Sequence, residues 1–483
     1  MAPPTESSIL ALSRKQLLFL AVFTAAAFLL PLVLEVLLPG FVSGTRGSRE
    51  HQILELLGFS APLAIGAAAY LIIGRNPPRT ATGMLIAGLP FLVMLFYAHA
   101  VSDVTDKSWD YLCYENAAKM VLTGGNPYSA AESYRYIYPP LVAQSLAFAY
   151  RAVYGTLEVL GVHKRPEAIW AVVFYFYECA QLLLIGWIYS LITKLARRLG
   201  IPPLTASLLV AALFLFNVPL LRTVRFEQVN LWILLSWLLV LLYSQTWPLL
   251  AGLAVGVGVN IKLYPAIMLG PLAACKRYWA VAASVIAILL LVVAQARFGA
   301  NWTIWQQFLG VPKQSFSTFR DNSLFNLVSS TWRATLGTHP SRLIKGIVVA
   351  LAGVVILWFT RRFFQRERLF TKAYGSAPDG AAREFRFQGH YMDALALSLL
   401  ISPLVWEHHF VMAMPVVVWA AATVGERRPW LVIIASVLML AIPTFDVFLF
   451  SFHRLAGLLL LIHATAPTAI YAARPERILE PAR

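Results

Sequence analysis

Charged residues are scarce in this sequence, where Asp, Glu, Lys and Arg make up only 13% of the 483 residues. That share is about half of what a soluble domain carries. Hydrophobic residues account for 59%, and apolar runs long enough to cross a bilayer recur from end to end. This composition excludes a soluble globular protein. It predicts an all-α polytopic membrane protein, because helices satisfy their own backbone hydrogen bonds in lipid.

Cysteine is also rare, with only Cys113, Cys179 and Cys275 far apart along the chain. Their spacing excludes a disulfide framework and a zinc site built on cysteine pairs. Acidic residues are outnumbered, since 39 Lys and Arg face 23 Asp and Glu and give a formal net charge of +16. In a membrane chain this excess is typical of cytoplasmic loops beside anionic lipid, so we do not expect a nucleic-acid partner.

The basic clusters suggest a topology. When clusters such as Lys194 to Arg198 and Arg361 to Arg368 are placed in the cytoplasm, the other connections lie outside. Segments 139–166 and 247–275 must then return to the side they came from, so we expect re-entrant or interfacial helices there. About 12 to 13 transmembrane helices result. The candidate spans are 16–38, 57–74, 82–100, 168–193, 203–222, 229–245, 279–297, 343–360, 391–405, 408–424, 430–450 and 455–473.

The positions of the candidate spans and of the basic clusters divide the chain into five parts. We expect the loop in the second part to lie outside the cell, with interfacial or re-entrant helices, and the fourth part to be a cytoplasmic linker. The parts are N-terminal transmembrane helices with an extra hairpin in 1–100, the outer loop in 101–166, a central bundle in 167–360 with a further outer loop in 298–342, the linker in 361–390 and C-terminal helices in 391–483.

Polar and ionisable residues gather at the outer connections of this topology. Lys262 lies inside an apolar segment beside Pro265, which is typical of a broken helix that lines a cavity. Such convergence predicts a membrane-embedded active site that faces outwards. Solvated loop acids, helix-capping histidines and a snorkelling lysine are the alternatives. The outer residues are Asp110, Glu227, Gln228, Asn230, Asp321, Asn322, Glu407, His408 and His409.

Tyrosines crowd one part of the outer loop, where Tyr128, Tyr134, Tyr136 and Tyr138 stand within eleven residues. Tyrosine rings pack against the apolar faces of sugars while their hydroxyl groups form hydrogen bonds. The cluster therefore favours a sugar-binding site. The alternative is that the rings only hold a compact loop at the membrane surface.

Five motifs, in order over about 300 residues, resemble glycosyltransferase family 87, whose members include polyprenyl-phosphate-mannose-dependent α-mannosyltransferases. The first contains Asp110, Tyr114, Gly125, Pro127, Tyr128 and Tyr138-Pro139-Pro140, and the others are "RFEQVN" at 225–230, "NIKLYP" at 260–265, "DNSLFNLV" at 321–328 and "SPLVWEHHF" at 402–410. The resemblance implies the C-type glycosyltransferase fold, with its active site at the extracytoplasmic face.

The sequence departs from the family pattern in two places. Glu227 stands where the family usually has glycine, which can alter how that turn approaches a ligand. An extra hairpin also precedes the catalytic loop, so we expect the site in the loop after residue 100. The competing loop, 39–56, contains Glu50 and Glu55 but lacks the motif.

The resemblance implies a role for each matched residue. Asp110 is expected to be the general base, with Asp103 and Asp106 as weaker candidates. Groups that bind the donor phosphate are expected at Lys262, His408, His409, Arg225 and Arg320. Groups that bind the sugar or the acceptor are expected at Tyr114, Asn126, Tyr128, Tyr138, Gln228, Asn322 and Glu407.

The expected donor is a polyprenyl-phosphate-linked hexose, with mannose as the expected sugar, and the acceptor is a glycolipid or glycan hydroxyl. Membrane lipids are the other expected partners. No metal cofactor is expected, because cations of the protein can carry a monophosphate, although Asp103, Asp106 and Asp110 stand close enough to share a divalent ion. The expected location is a bacterial inner membrane, with the active site facing the periplasm.

Three alternatives remain at this stage. A transporter or lipid-linked sugar flippase also needs polar groups inside a helical bundle, but it places them near the midplane, often with repeat symmetry. An enzyme of the same fold that transfers arabinose or another sugar has a similar pattern. A structural scaffold gives no reason for polar residues at four outer turns.

Overall fold

The structure of the chain, a computed structural model, describes residues 14–37, 49–70, 80–102, 106–129, 136–161, 165–298, 302–311, 321–337, 341–375, 378–445 and 447–471. Within these ranges the chain is helical and forms no β-strand, apart from one isolated bridge between Asp321 and Trp406. The predicted all-α class is confirmed.

The described ranges contain helices α1 to α20 in chain order, with short 3-10 turns at Tyr264–Met268, Glu407–Ala413 and Phe450–Phe452. The helices are α1 Arg14–Leu37, α2 Arg49–Ala69, α3 Ala81–Ser102, α4 Trp109–Leu122, α5 Leu141–Val159, α6 Pro166–Arg198, α7 Pro203–Leu215, α8 Val218–Arg225, α9 Asn230–Tyr243, α10 Pro248–Ile261, α11 Leu269–Ala274, α12 Tyr278–Phe298, α13 Thr303–Gly310, α14 Leu324–Leu336, α15 Ser341–Tyr374, α16 Gly380–Ile401, α17 Met414–Val424, α18 Pro429–Ser436, α19 His453–Ala464 and α20 Pro467–Tyr471.

Several of these helices are long and apolar enough to cross a membrane, which agrees with a multi-pass membrane protein. In the described ranges they number five, or six if α7 and α8, bent by 52°, count as one span. The predicted number of 12 to 13 spans stays a prediction, because further apolar segments form helices of 10–17 residues that this length criterion leaves out. The five are Ala81–Ser102, Pro166–Arg198, Tyr278–Arg297, Arg342–Tyr374 and Glu407–Val424.

The break predicted within residues 247–275 is confirmed. Helix α10 ends at Ile261, and Lys262 follows with extended backbone angles, φ −146° and ψ 139°. The 3-10 turn Tyr264–Met268 comes next, with Pro265 near its start. Proline has no backbone N–H and disfavours the helical conformation of the residue before it. The break therefore turns the Lys262 side chain away from the helix axis and into the bundle, where only 8% of the residue is exposed.

Close packing between α10 and α12 fixes the position of this break. A Cβ atom built on Gly252 meets the Cβ of Ala283 at 2.4 Å, and one built on Gly256 meets that of Ala287 at 2.6 Å. Small residues four apart allow two membrane helices to approach this closely. Helix α10 is thereby held against α12 and delivers Lys262 to a defined place.

The predicted linker at 361–390 is much shorter than expected. Helix α15 continues to Tyr374 and α16 begins at Gly380, so most of the segment is helical. The reason is a buried ion-pair network, in which Arg362 and Arg366 each contact one carboxylate oxygen of Asp393 at 2.8 Å. Buried arginines need such partners, and the network joins the two helices that the linker was expected to separate.

Candidate active site

Asp110 lies in the first turn of α4, and that turn is held by the chain segment between α8 and α9. Ser108 is the N-cap of α4, and its Oγ accepts a hydrogen bond from the Tyr111 N–H at 3.1 Å. The Ser108 N–H and hydroxyl in turn lie 3.1 and 2.9 Å from Oε2 of Glu227. The Glu227 carboxylate therefore fixes the start of the helix that bears Asp110.

Glu227 has a left-handed backbone conformation, with φ of +53°. Glycine adopts this conformation without steric cost, whereas a residue with a side chain is strained there. This conformation explains why the family motif that residues 225–230 resemble usually has glycine at this position. In this chain the strain is accompanied by the two hydrogen bonds from Ser108, and burial raises the pKa of Glu227 to about 8.

We expect Glu227→Gly to loosen the start of α4. Glycine suits the left-handed backbone, so the change removes the side chain without adding strain, and each of the two lost hydrogen bonds contributes about 0.5–1.5 kcal/mol. Amide hydrogen exchange in the first turn of α4 should become at least about tenfold faster. Lys276→Gly, at another left-handed position with φ of +59°, is the matched control and should leave that turn unchanged. Equal exchange in both variants contradicts the role of Glu227.

The Asp110 side chain is hydrogen-bonded to Gln228 and lies near the Lys262 ammonium group. Burial raises the pKa of Asp110 to about 6, while the Gln228 hydrogen bond and the Lys262 charge act in the opposite direction. Gln228 also accepts a hydrogen bond from the Tyr138 hydroxyl at 3.3 Å. Its amide therefore joins the acid on α4 to the tyrosine-rich segment.

Lys262 is the cation at the centre of this arrangement. Its Nζ donates to Oδ1 of Asn230 at 2.7 Å and lies 2.9 Å from Nε2 of His409. The same atom lies 5.2 Å from the centroid of the Tyr138 ring, within the range of a cation–π contact. Four segments that are distant in the sequence therefore meet at one ammonium group.

The His408–His409 segment is oriented by the residues just before it and by the connection that contains Asp321 and Asn322. The Trp406 N–H donates to Nδ1 of His409 at 3.0 Å, which leaves Nε2 to face Lys262. Asp321 supports this segment, because its Oδ1 accepts a hydrogen bond from the Val405 N–H at 2.9 Å. The Asn322 N–H donates to the Val405 carbonyl at 2.7 Å. The His408 ring lies parallel to the Trp406 ring, at an interplanar angle of 6°.

The tyrosines divide into two groups. Tyr138 contacts Gln228 and Lys262, and the Tyr114 ring lies behind it at 5.3 Å. Tyr128 instead donates its hydroxyl hydrogen to the Tyr138 carbonyl at 3.0 Å, and Oδ1 of Asn126 accepts from the Tyr128 N–H at 2.9 Å. Tyr128 and Asn126 thus fit the alternative role of shaping the loop, whereas Tyr138 belongs to the polar cluster.

The other candidates from the sequence are a buried acid, an exposed arginine and two residues that the structure does not describe. Glu407 is buried between Arg222 and Arg454, whose nitrogens are 3.3 and 3.7 Å from its oxygens. Arg225 is exposed at the end of α8. Arg320, together with the alternative base Asp103, lies outside the described residues, and their assignments stay predictions.

Sequence reasoning missed Arg222, Arg454 and the role of Asn230. The available signal was an arginine within or beside an apolar segment, since such a cation needs a buried partner. Among the described residues, no three His, Cys, Asp or Glu side chains come together as a metal site. Because Asp103 is outside that set, the expectation about metal stays a prediction.

Comparison with known proteins identifies the family. The family model for glycosyltransferase family 87 matches residues 136–378, just over half of the chain, and the chain therefore belongs to that family. This confirms the family predicted from the motifs. The matched residues include Tyr138, Gln228 and Lys262, whereas Asp110 and His409 lie outside them. No solved structure matches the chain at a significant level.

Two curated relatives are named polyprenol-phosphate-mannose-dependent α-(1-2)-phosphatidylinositol pentamannoside mannosyltransferase. The protein from Mycobacterium tuberculosis is 26% identical over 238 residues, covering 46% of this chain and 47% of its own length. The protein from Mycolicibacterium smegmatis is 25% identical over 254 residues, covering 50% of this chain and 54% of its own. The chain thus spans about half the length of the curated relatives it matches.

Proposed function

We propose that this member of glycosyltransferase family 87 transfers a mannosyl group from a polyprenyl-phosphate donor to a hydroxyl group of a glycolipid or glycan. The observation that carries the proposal is the buried cluster in which Gln228 binds Asp110 and Lys262 contacts His409. A carboxylate with raised pKa next to a buried cation suits a proton acceptor beside a phosphate site. The names of the two relatives support mannose and a lipid-linked donor.

Each bond change in the proposed reaction has a residue to support it. Asp110 takes the proton from the acceptor hydroxyl while that oxygen forms a bond to the anomeric carbon. The bond between the anomeric carbon and the phosphate oxygen breaks, and the electron pair stays on the leaving polyprenyl phosphate. The Lys262 ammonium group and the His409 imidazole bind that anion, so the protein itself supplies the positive charge and no metal is required. Attack opposite the phosphate inverts a β-linked donor to an α-glycoside.

The location belongs to the same proposal. A polyprenyl-phosphate donor keeps its tail in the bilayer and its sugar at the surface, which agrees with a multi-pass chain whose polar cluster lies beside apolar helices. The basic clusters at the opposite connections support a cytoplasmic side and hence an outward-facing site in a bacterial inner membrane.

The direct test uses protein in lipid nanodiscs, radiolabelled polyprenyl-phosphate-mannose and a mixed glycolipid extract as acceptor. Label is expected in a new glycolipid, released by an α-mannosidase. Transfer only from a polyprenyl-phosphate arabinose or another sugar donor contradicts mannose and favours the same-fold alternative. In sealed vesicles, movement of the labelled lipid across the bilayer without any new glycolipid contradicts the transferase and favours the flippase.

The pH dependence of transfer follows from Asp110. A general base acts in its ionised form, and the pKa of Asp110 is raised to about 6 by burial. We therefore expect kcat/KM to fall about tenfold for each pH unit below the pKa of Asp110. The measurement is a kcat/KM profile from pH 4.5 to 8.5, with unfolding followed at each pH. A rate that rises as the pH falls contradicts Asp110 as the base.

A further inference from the structure

One buried carboxylate lies between two arginines beside the polar cluster. Glu407 is only 1% exposed. Its Oε1 lies 3.3 Å from Nε of Arg222, and its Oε2 lies 3.7 Å from a terminal nitrogen of Arg454 and accepts a hydrogen bond from the Thr444 hydroxyl. Buried arginines need carboxylate partners of this kind. Because two guanidinium groups share one carboxylate, the two arginines and Glu407 together carry one positive charge in excess.

The two arginines differ in what else they contact. Arg454 is fully buried, and its Nη1 donates to the Met439 and Ile442 carbonyls at 3.1 and 2.8 Å. The Arg222 side chain is 34% exposed, and its terminal nitrogens form no hydrogen bond with any described residue. Arg454 is therefore held within the helix packing, whereas the excess charge is accessible at Arg222.

Arg222 lies beside the same turn that contacts Lys262. In the 3-10 turn Glu407–Ala413, the first residue is paired with Arg222 and the third, His409, lies 2.9 Å from Lys262. His408 stands between these two residues, and the charges of both Lys262 and Arg222 act on its ring. The turn thus brings two cations and the His408 imidazole together.

Helix α8, which bears Arg222, is fixed against this turn. The Thr223 hydroxyl lies 3.3 Å from the His408 carbonyl oxygen. The Phe226 ring lies 5.5 Å from the Arg222 guanidinium group and 6.5 Å from the His408 ring, on which Trp406 is stacked. These rings give the place apolar walls, and charge interactions are stronger in such surroundings than in water.

The reaction proposed above changes the charge of the phosphate. The donor is a phosphodiester with one negative charge. When the bond between the anomeric carbon and the phosphate oxygen breaks, its electron pair stays on that oxygen, and the acceptor proton goes to Asp110. The leaving polyprenyl phosphate is then a monoester with a second negative charge, which is retained above about pH 6. A site that favours the transition state over the bound donor therefore needs a cation for this second charge.

We propose that Arg222 is this second cation and that the site consequently binds free polyprenyl phosphate, the dianionic product, more tightly than the monoanionic donor. The inference rests on the proposed transferase function. Lys262 meets the charge that the donor already carries, and the planar fork of Arg222 binds two oxygens of the phosphate as the second charge develops. Glu407 is then a positioning residue that holds Arg222, and the product is an inhibitor that must leave before the next donor enters.

Farnesyl phosphate and its methyl ester test the proposal directly, because they share one tail and differ by one negative charge. In phosphatidylcholine nanodiscs at pH 7, the wild type should bind the dianion at least about tenfold more tightly than the ester, the usual effect of one charge-assisted contact. In Arg222→Gln this ratio should fall to about twofold or less, and Arg222→Lys should retain part of it. Arg297→Gln, at an exposed arginine on α12, is the matched control and should keep the wild-type ratio.

Three results of this measurement overturn the proposal. The first is an equal ratio in the wild type and Arg222→Gln, and the second is a wild type that binds the ester as tightly as the dianion. The third is displacement of farnesyl phosphate by inorganic phosphate as readily as by farnesyl phosphate itself, because it shows a plain anion site.

Glu407→Gln tests the positioning role and should lower the ratio as well. A Glu407→Gln protein that unfolds at a lower temperature but keeps the wild-type ratio shows that Glu407 only stabilises the fold. That result contradicts its role in holding Arg222.

Kinetics separates this proposal from the transferase function. Arg222→Gln should lower kcat for transfer about 10²-fold, the usual cost of losing one group that stabilises developing charge, while the KM for the donor changes less than about threefold. Transfer by Arg222→Gln at the wild-type kcat contradicts the role of Arg222 while the transferase stands. A preference for the dianion that depends on Arg222, in a protein that transfers no sugar, contradicts the transferase while the phosphate site stands.

Discussion

Asp110→Asn is expected to lower kcat/KM for transfer by a factor of about 10² to 10⁴, the usual contribution of a general base. The amide keeps the size of the side chain and a hydrogen-bonding oxygen for Gln228, but it cannot take a proton from the acceptor hydroxyl. The fold should be preserved, so the thermal unfolding midpoint should change little. Donor binding should also persist, because Lys262 and His409 are untouched.

The matched control for this variant is Asp106→Asn. Asp106 lies four residues before Asp110 and is exposed, so the same substitution should leave transfer within about twofold of the wild type. Equal transfer by Asp110→Asn and the wild type contradicts Asp110 as the base and moves that role to Asp103 or Asp106. Loss of transfer in both variants indicates that the whole connection, and not one carboxylate, supports the reaction.

The residues of the polar cluster could be predicted from the sequence because their chemistry is unusual in an apolar chain. Asp110, Lys262 and His409 each stand beside apolar segments, and membrane proteins keep such groups only where a partner or a cavity stabilises them. Their order in the motifs then predicted their roles. The sequence could not show which of these residues contact each other. For instance, His409 lies 2.9 Å from Lys262, although the two residues are 147 positions apart in the sequence.

The contacts that support the polar cluster could not be predicted either, because they also join residues that are far apart in the sequence. Glu227 lies 119 residues from Ser108, and neither residue is unusual in its own segment. Helical periodicity reports neighbours three or four residues apart and carries no information about such distant pairs. The departure of Glu227 from the family pattern was visible, but its consequence became clear only when the φ of +53° and the contact with Ser108 were known.

The number of membrane spans is difficult to predict from the sequence for a different physical reason. Helix α9 and helix α12 are both strongly apolar, but Leu231 and Leu234 of α9 are fully buried whereas Leu289 and Leu290 of α12 are 58% and 64% exposed. Composition measures only how apolar a helix is, and protein interiors and lipid favour the same side chains. Hydropathy alone therefore does not show whether a short buried helix such as α9 crosses the membrane or lies within the protein.

The arrangement of the polar cluster also bears on the transporter alternative. Lys262 follows a broken helix, as in many transporters, but its partners come from a connection between helices and from a 3-10 turn. Asn230 begins α9, and His409 lies in Glu407–Ala413. The cluster thus gathers helix ends around one cation, which suits a site that opens at one face of the bundle.

Lys262→Met is expected to lower kcat about 10² to 10³-fold, the usual cost of removing one group that stabilises negative charge in a transition state. Methionine has a similar length and no charge, so it fits the buried space that the lysine occupies. The leaving phosphate then loses its nearest cation, in surroundings where charge interactions are stronger than in water. Lys345→Met, at an exposed position on α15, is the matched control and should keep full activity.

Lys262→Met should have a second effect, which a purely structural role of Lys262 does not explain. The Lys262 charge lowers the pKa of Asp110, so removing that charge should move the acidic limb of the kcat/KM profile to higher pH. A proton on Asp110 then competes with catalysis closer to neutral pH, and part of the lost activity should return as the pH is raised. A large loss of kcat with an unshifted acidic limb contradicts coupling between the two groups. A rate equal to that of the wild type contradicts the role of Lys262 at the phosphate.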